Sequence, residues 1–424
     1  MTLARKLLGV SPDEQRKVFL LFSYFFVVIA TFWIQKPIRT SKFLTAVGPE
    51  YLPFVKLGTA LLILPIVLFY ASAVRRYRRE SIVAGCVAVF TVSSLAFAYA
   101  FSAGSGAWLN IAYFFYVDIY ITVMVALFWS FANDLTPLLQ ARRIHGVVGA
   151  GGILGGLTGS ALTGWSVQMI GPAQLLLICA VMVLGVALLA RSTMRACRLP
   201  MPNIHRDEPA LSFRAALDGA RMTLKTPYLL AIAVMIGCYE MVSNIVDYQF
   251  NTTVAAAFSR EGSLTAFLGK LNSIIMVASL AVQLILTTWV LRRFGPKTGL
   301  LLLPIILGLG SLLFLTFPLV AVATLLFSSD GSLHYSVNQT SKEVLYTTVD
   351  QEMLYQAKAF IDMFLFRASK GVSALLILAS NLWLVPMGWS IQHLGFISLF
   401  FIVIWILTAY TIGTWSSARS RASG

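Results

Sequence analysis

The strongest constraint on this chain is a repeated apolar run of membrane-spanning length. The first, "FLLFSYFFVVIATFWI" at 19–34, carries no charge, and comparable runs recur along the whole sequence. About 20 apolar residues cross the hydrocarbon core of a bilayer as a helix. In lipid every backbone polar group must be satisfied internally, which leaves helices or closed barrels. Twelve spans are expected, at about 18–36, 52–74, 81–103, 108–133, 146–168, 173–190, 228–250, 264–291, 298–316, 318–340, 358–384 and 394–415. Hydrophobic residues make up 58% of the 424, charged residues 12%, and the mean hydropathy is +0.81. That composition excludes a soluble globular protein, and nothing between the spans is long enough for a soluble domain. The expected fold class is an all-α polytopic membrane protein of twelve helices in two six-helix halves. No cleavable leader is expected, because the polar opening segment runs into a full-length span. Within it, "SPDE" reads as a helix start, with Ser11 as cap and Pro12 at the first position.

The net charge of +15 is unevenly spread. With the N-terminus inside, 24 of the 32 Lys and Arg residues fall in inner segments, and the outer loops hold only Arg260. Positive charge gathers on the cytoplasmic side of membrane proteins. Both termini are therefore expected inside, and the basic character calls for no nucleic acid. The bacterial cytoplasmic membrane is the expected location. A basic segment at 191–227 separates a first half, 1–190, from a second, 228–424, and its stretch "SFRAALDGARMTL" has the pattern of an amphipathic helix on the inner face. This is the layout of major-facilitator transporters, a fold-level analogy that fixes no substrate.

The run "GVVGAGGILGGLTGSALTG" at 146–164 places glycines four apart. It lacks the Gly-Lys-Ser/Thr ending of a phosphate loop, so it reads as a flat face for close helix packing. Cys86, Cys179, Cys197 and Cys238 form no metal or redox pattern.

Seven cations remain inside or at the rims of the spans: Lys36, Arg39, Lys42, Lys56, Lys270, Arg367 and Lys370. Five acids accompany them: Asp118, Glu240, Asp247, Asp330 and Asp362. Intramembrane charge is expensive and usually faces a cavity or a partner. Lys36, Arg39, Lys42, Lys56 and Lys270 lie toward outer ends of spans, against the positive-inside trend. Arg39 with Lys42, and Arg367 with Lys370, are three apart and share helix faces. Arg offers phosphate a fork and Lys a mobile charge. The expected substrate site is therefore Arg39, Lys42, Lys56, Lys270, Arg367 and Lys370, with Asp118, Glu240 and Asp247 balancing charge or coupling. The competing reading sends Lys36, Lys42 and Lys56 to outer lipid headgroups and pairs Arg367 with Asp362. His334 is a candidate titrating group, though a lone histidine is more often structural. No metal triad, activated nucleophile or paired carboxylate marks an enzyme, and no cofactor is expected.

Four stretches carry a family resemblance: "RTSKFL" with "LPFVKL" (39–44, 52–57), "FWSFANDLTPLLQARRIHGVVGAGG" (128–152), "PYLLAIAVMIGCYEMVSNIVDYQF" (227–250) and "SKEVLYTTVDQEMLYQAKAFIDMFLFRASKG" (341–371). In order and spacing the chain resembles the nucleotide transporter family, the ATP:ADP antiporters of plastids and intracellular bacteria, a divergent branch of the major-facilitator superfamily. The resemblance implies alternating-access exchange of nucleotides. It places Lys42 and Arg39 on the helix-one basic pair, Asp118 near the helix-four acid, Asp247 on the helix-seven acid and Lys370 on the helix-eleven lysine. The family usually has an acid after the helix-one lysine, where this chain has Phe43, and a Glu where it has Asp247. Two other classes remain: a lipid or lysophospholipid transporter of the same fold, and a membrane scaffold or sensor without cargo.

Overall fold

The computed structural model describes residues 12–104, 106–136, 138–197, 213–346, 360–361 and 365–422. Nearly all of these are helical. In order they form α1 (Pro12–Ala46), α2 (Leu52–Arg76), α3 (Arg79–Ala103), α4 (Ala107–Asp134), α5 (Leu138–Cys197), α6 (Phe213–Lys225) and α7 (Pro227–Ala257). They continue as α8 (Glu261–Ala281), α9 (Thr288–Thr316), α10 (Val320–Leu333), α11 (Gln339–Tyr346), α12 (Phe366–Ala379) and α13 (Leu394–Ala422). π-helical turns at Val282–Thr287 and His334–Asn338 connect α8 to α9 and α10 to α11. Ser11 and Asp362 lie outside the described residues.

Ten stretches of the described residues are long and apolar enough to cross a membrane. One, Ile144–Ala196, has 53 residues, far more than a single crossing requires. The helix containing it, α5, breaks at Gly171, whose φ of 80° needs no Cβ, and Pro172 follows without an N–H to continue the ladder. The first span is expected to stop at 36, yet α1 runs through Pro37 to Ala46. The cations that end the apolar run do not end the helix: Arg39 and Lys42 meet acids of other helices, and Lys36 lies over Trp33 of its own. The amphipathic stretch expected at 212–224 forms α6, which packs against α7.

The chain groups into two compact units. The first comprises Met1–Val47, Leu61–Arg206 and Phe258–Met276; the second comprises Gly48–Ala60, Asp207–Ala257 and Val277–Gly424. Each unit therefore holds a helix segment from the other side of the 191–227 linker. The start of α2 belongs to the second unit, and most of α8 to the first.

In the first unit the glycine run does what its spacing suggests. A Cβ built on Gly151 would stand 2.6 Å from the Phe22 carbonyl oxygen of α1, and on Gly155 and Gly159 it would strike the carbonyls of Phe26 and Ala30. Farther along, Gly164 would meet the Lys270 backbone nitrogen at 2.5 Å. Small residues let helix backbones touch where no hydrophobic effect separates helix from lipid. Thr163 Oγ1 adds an interhelical bond of 3.1 Å to the Ile34 carbonyl. Aromatic rings fill the space beside this seam, with Phe25 stacked on Phe128 at 4.5 Å.

Gly159→Leu is expected to lower the thermal midpoint in detergent and the yield of folded protein, at or above the top of the roughly 1–3 kcal/mol range for overpacking, because the clash is with backbone. Gly185→Leu, with nothing within 4 Å of its added Cβ, is expected to change neither. Equal midpoints for the two variants would refute the seam.

In the second unit α7 is the central element, packing against α10, α12 and α13. Phe250 stacks on Phe327 of α10 at 4.2 Å, and the Tyr228 hydroxyl donates to the Leu345 carbonyl at 3.1 Å.

Candidate functional site

The intramembrane charges are placed by seven helices, and most of them meet an opposite charge. In the first unit Arg39 of α1 pairs through Nη1 with Asp118 Oδ1 of α4 and lies over the Phe114 ring, 4.2 Å from its centroid. Its Nε is buried without a hydrogen-bond partner among the described residues. Lys42, one turn on, is buried; its Nζ lies 3.0 Å from Glu261 Oε1 and 4.1 Å from the Phe101 ring centroid. Beside it Ser41 Oγ and Thr265 Oγ1 share a hydrogen bond of 2.5 Å, so α1 and α8 are tied twice. Lys36 lies over Trp33 at 4.2 Å, and the exposed Lys270 lies over Trp165 at 4.6 Å.

In the second unit Lys56 of α2 donates to Asp247 Oδ2 of α7 at 2.5 Å and reaches Asn244 Oδ1 at 3.5 Å. Lys370 of α12 holds Glu240 Oε2 at 3.8 Å and lies over the Phe366 ring at 4.2 Å. Asp330 of α10 is buried and accepts a 2.5 Å bond from Ser243 Oγ. Glu240, Ser243, Asn244 and Asp247 thus form one polar stripe on α7, at the three- and four-residue spacing that shares a helix face. Arg367 is half-buried with no ion pair among the described residues, and Asp362, its partner in the competing reading, lies outside them.

The structure brings three of the candidate cations against the three candidate acids: Arg39 with Asp118, Lys56 with Asp247, and Lys370 with Glu240. Lys42 does not extend to a lipid surface. Its partner Glu261 was not legible in the sequence, where it falls in the outer-loop stretch "NTTVAAAFSREGS". The available signal was an acid at the first turn of a membrane helix, where the helix dipole favours negative charge. Phe43, standing where the resemblance leads one to expect an acid, is fully buried against Phe114 at 5.1 Å. The counter-charge to Lys42 comes from α8 instead. Sequence reasoning also missed the Arg79–Asp134 pair at 2.5 Å, which anchors one cation of the "RRYRRE" cluster.

A family profile described as TLC ATP/ADP transporter matches residues 100–328, more than half of the chain. The chain belongs to the TLC ATP/ADP transporter family. It is an integral membrane transporter rather than an enzyme. ADP,ATP carrier protein 1 of Chlamydia trachomatis is 24% identical over 87% of this chain and 82% of that protein. ADP,ATP carrier protein 1 of Rickettsia typhi is 20% identical over 95% of this chain and 94% of its own length. Among solved structures, the POT family transporter PepTSo superposes with a TM-score of 0.66 at 13% identity, covering 96% of this chain and 98% of that one. The nucleoside transporter NupG gives 0.60 at 13%, with the same coverage. These likenesses establish the fold of major-facilitator transporters for this TLC family member.

Proposed function

We propose that this chain exchanges adenine nucleotides, ATP against ADP, across a bacterial cytoplasmic membrane by alternating access. The observation that carries the reading is a set of cations on spanning helices, four of which, Arg39, Lys42, Lys56 and Lys370, are each paired with an acid on another helix. Intramembrane charges are rare, and those retained usually mark a substrate or ion pathway. Arg39, Lys42, Lys56, Lys270, Arg367 and Lys370 would take phosphate oxygens; Asp118, Glu240 and Asp247 would hold the cations between substrates. Two of the pairs, Lys42–Glu261 and Lys56–Asp247, tie a helix before the 191–227 linker to a helix after it. Opening them without a substrate leaves unpaired charges. A nucleotide's phosphates supply replacement partners, and that favours exchange over net uptake.

We further propose twelve spans with both termini inside. The bend at Gly171 divides Ile144–Ala196 in two, and the continuous helical path Val320–Tyr346 supplies the other crossing beyond the ten. The halves are then 1–190 and 228–424, joined on the cytoplasmic side by 191–227. Reporter fusions after residue 104 and at the C-terminus are expected on opposite faces; the same face for both would sink this topology.

The functional test is uptake of labelled ATP into proteoliposomes. Vesicles loaded with ADP are expected to take it up at least about tenfold faster than empty ones, since the substrate-free carrier must break intramembrane pairs. Equal rates would refute exchange. Transport of lysophospholipid without ATP would refute the nucleotide.

A further inference from the structure

A cavity of about 240 Å³ lies in the second unit, walled by α7, the π-helical turn at His334–Asn338, α11, α12 and α13. One part of the wall is aromatic. Tyr239 and His334 stack with centroids 4.3 Å apart and planes 5° apart, and Trp405 meets Tyr239 edge-on at 5.4 Å. The rest is polar and includes Asn338, Gln339, Glu240 and Lys342. Two polar atoms of these wall residues are buried with no hydrogen-bond partner among the described residues: Trp405 Nε1 and Asn338 Oδ1. Indole nitrogen only donates and amide oxygen only accepts. An unmet donor and an unmet acceptor in a low-dielectric interior are each costly.

We propose that this cavity receives the heterocyclic base of the nucleotide, an assignment that rests on nucleotide transport as the function. The volume falls below the 300–1,000 Å³ usual for pockets that enclose a whole drug-sized ligand, so it suits one part of a nucleotide. Flat rings at its wall suit a planar base, because every base offers a π-face for stacking. The unmet pair also has the right polarity. A 6-aminopurine presents an amino N–H beside an acceptor ring nitrogen, the complement of Asn338 Oδ1 and Trp405 Nε1–H. Asparagine's pairing with adenine is a recurring solution to the same problem on nucleic acids. A phosphate needs donors only; Lys342 in the wall would attract it, but the Asn338 oxygen and Glu240 carboxylate beside it would repel it. Phosphates belong instead with Lys370, which holds Glu240 at the cavity's edge. The π-helical turn supports the assignment, since such widened turns recur at functional sites.

The test compares binding of ATP, ADP, GTP, CTP and inorganic tripolyphosphate to the purified full-length protein. Tripolyphosphate carries the charge without the base. Wild type is expected to bind ATP and ADP at least about tenfold more tightly than tripolyphosphate. Trp405→Phe and Asn338→Leu are each expected to weaken ATP about five- to tenfold and leave tripolyphosphate unchanged. If Asn338→Leu fails to fold, Asn338→Ser and Trp405→Phe carry the test, read as the ratio of ATP to tripolyphosphate affinity. Equal wild-type affinity for ATP and tripolyphosphate would overturn the base site and leave anion transport standing. Binding of neither would overturn the nucleotide reading itself. Wild-type preference for ATP that survives both substitutions would put the base elsewhere.

Discussion

Lys42→Ala is expected to cut nucleotide exchange by at least about a hundredfold, and Lys42→Ala with Glu261→Ala is expected to restore the fold but not the exchange. Lys42 is buried on a spanning helix, 3.0 Å from Glu261. Removing Lys42 leaves Glu261, whose side chain is 32% exposed, without its counter-charge, at less than the about 3–5 kcal/mol of a fully buried pair. The single variant therefore suffers twice, losing a phosphate ligand and stranding a carboxylate. Removing both charges relieves the second fault alone. Each 1.4 kcal/mol of lost binding is a factor of ten, so a charged contact of about 1.5–3 kcal/mol accounts for one to two decades of the loss. The measurements are thermal midpoints in detergent and exchange rates in vesicles for the wild type, both single variants and the double. If the double variant regains wild-type exchange, Lys42 is a structural partner of Glu261 and does not bind substrate.

The behaviour of this pair marks where the sequence is readable and where it is not. Apolar runs report spans directly, because lipid imposes the same demand on every residue of a crossing. The expected spans at 108–133 and 228–250 correspond to α4 (Ala107–Asp134) and the body of α7 (Pro227–Ala257). The glycine run was equally legible, since close approach depends on a local property, the missing Cβ. Helix ends were less so. Lys36, Arg39 and Lys42 terminate a hydropathy window but not α1, and what keeps them inside the helix comes from Trp33, Asp118 and Glu261. Two of those partners are 79 or more residues away, and no local pattern reports them.

The charged residues themselves stood out because lipid makes each one conspicuous. Their pairing did not, since seven cations and five acids allow many matchings. α7 illustrates the difference. Glu240 and Asp247 are seven apart and were expected to share a face, yet they serve different lysines, Lys370 and Lys56. The unmet atoms of Asn338 and Trp405 left no sequence signal at all, because burial without a partner is a property of packing.

The Lys370–Glu240 pair is lopsided, and its two halves are expected to respond in opposite ways. The Glu240 side chain is only 5% exposed, whereas that of Lys370 is 44% exposed. Lys370→Ala strands a buried carboxylate, so it is expected to destabilise the protein by about 3–5 kcal/mol and to reduce exchange at least about a hundredfold. Glu240→Gln keeps the shape of the side chain and leaves a lysine that can extend into open space. It is expected to fold like the wild type. It also releases Lys370 from its counter-charge, so phosphate no longer competes with a carboxylate. Anion affinity is then expected to rise about threefold to tenfold, and exchange to slow as release becomes limiting, because a carrier must let its substrate go. Lys370→Ala with Glu240→Gln should recover stability without recovering exchange. Thermal midpoints, ATP affinity and exchange rates on the four proteins decide the matter. Weaker ATP binding in Glu240→Gln at an unchanged midpoint would show that the carboxylate itself contacts the nucleotide, and that the charge-balancing role assigned to Glu240 is wrong.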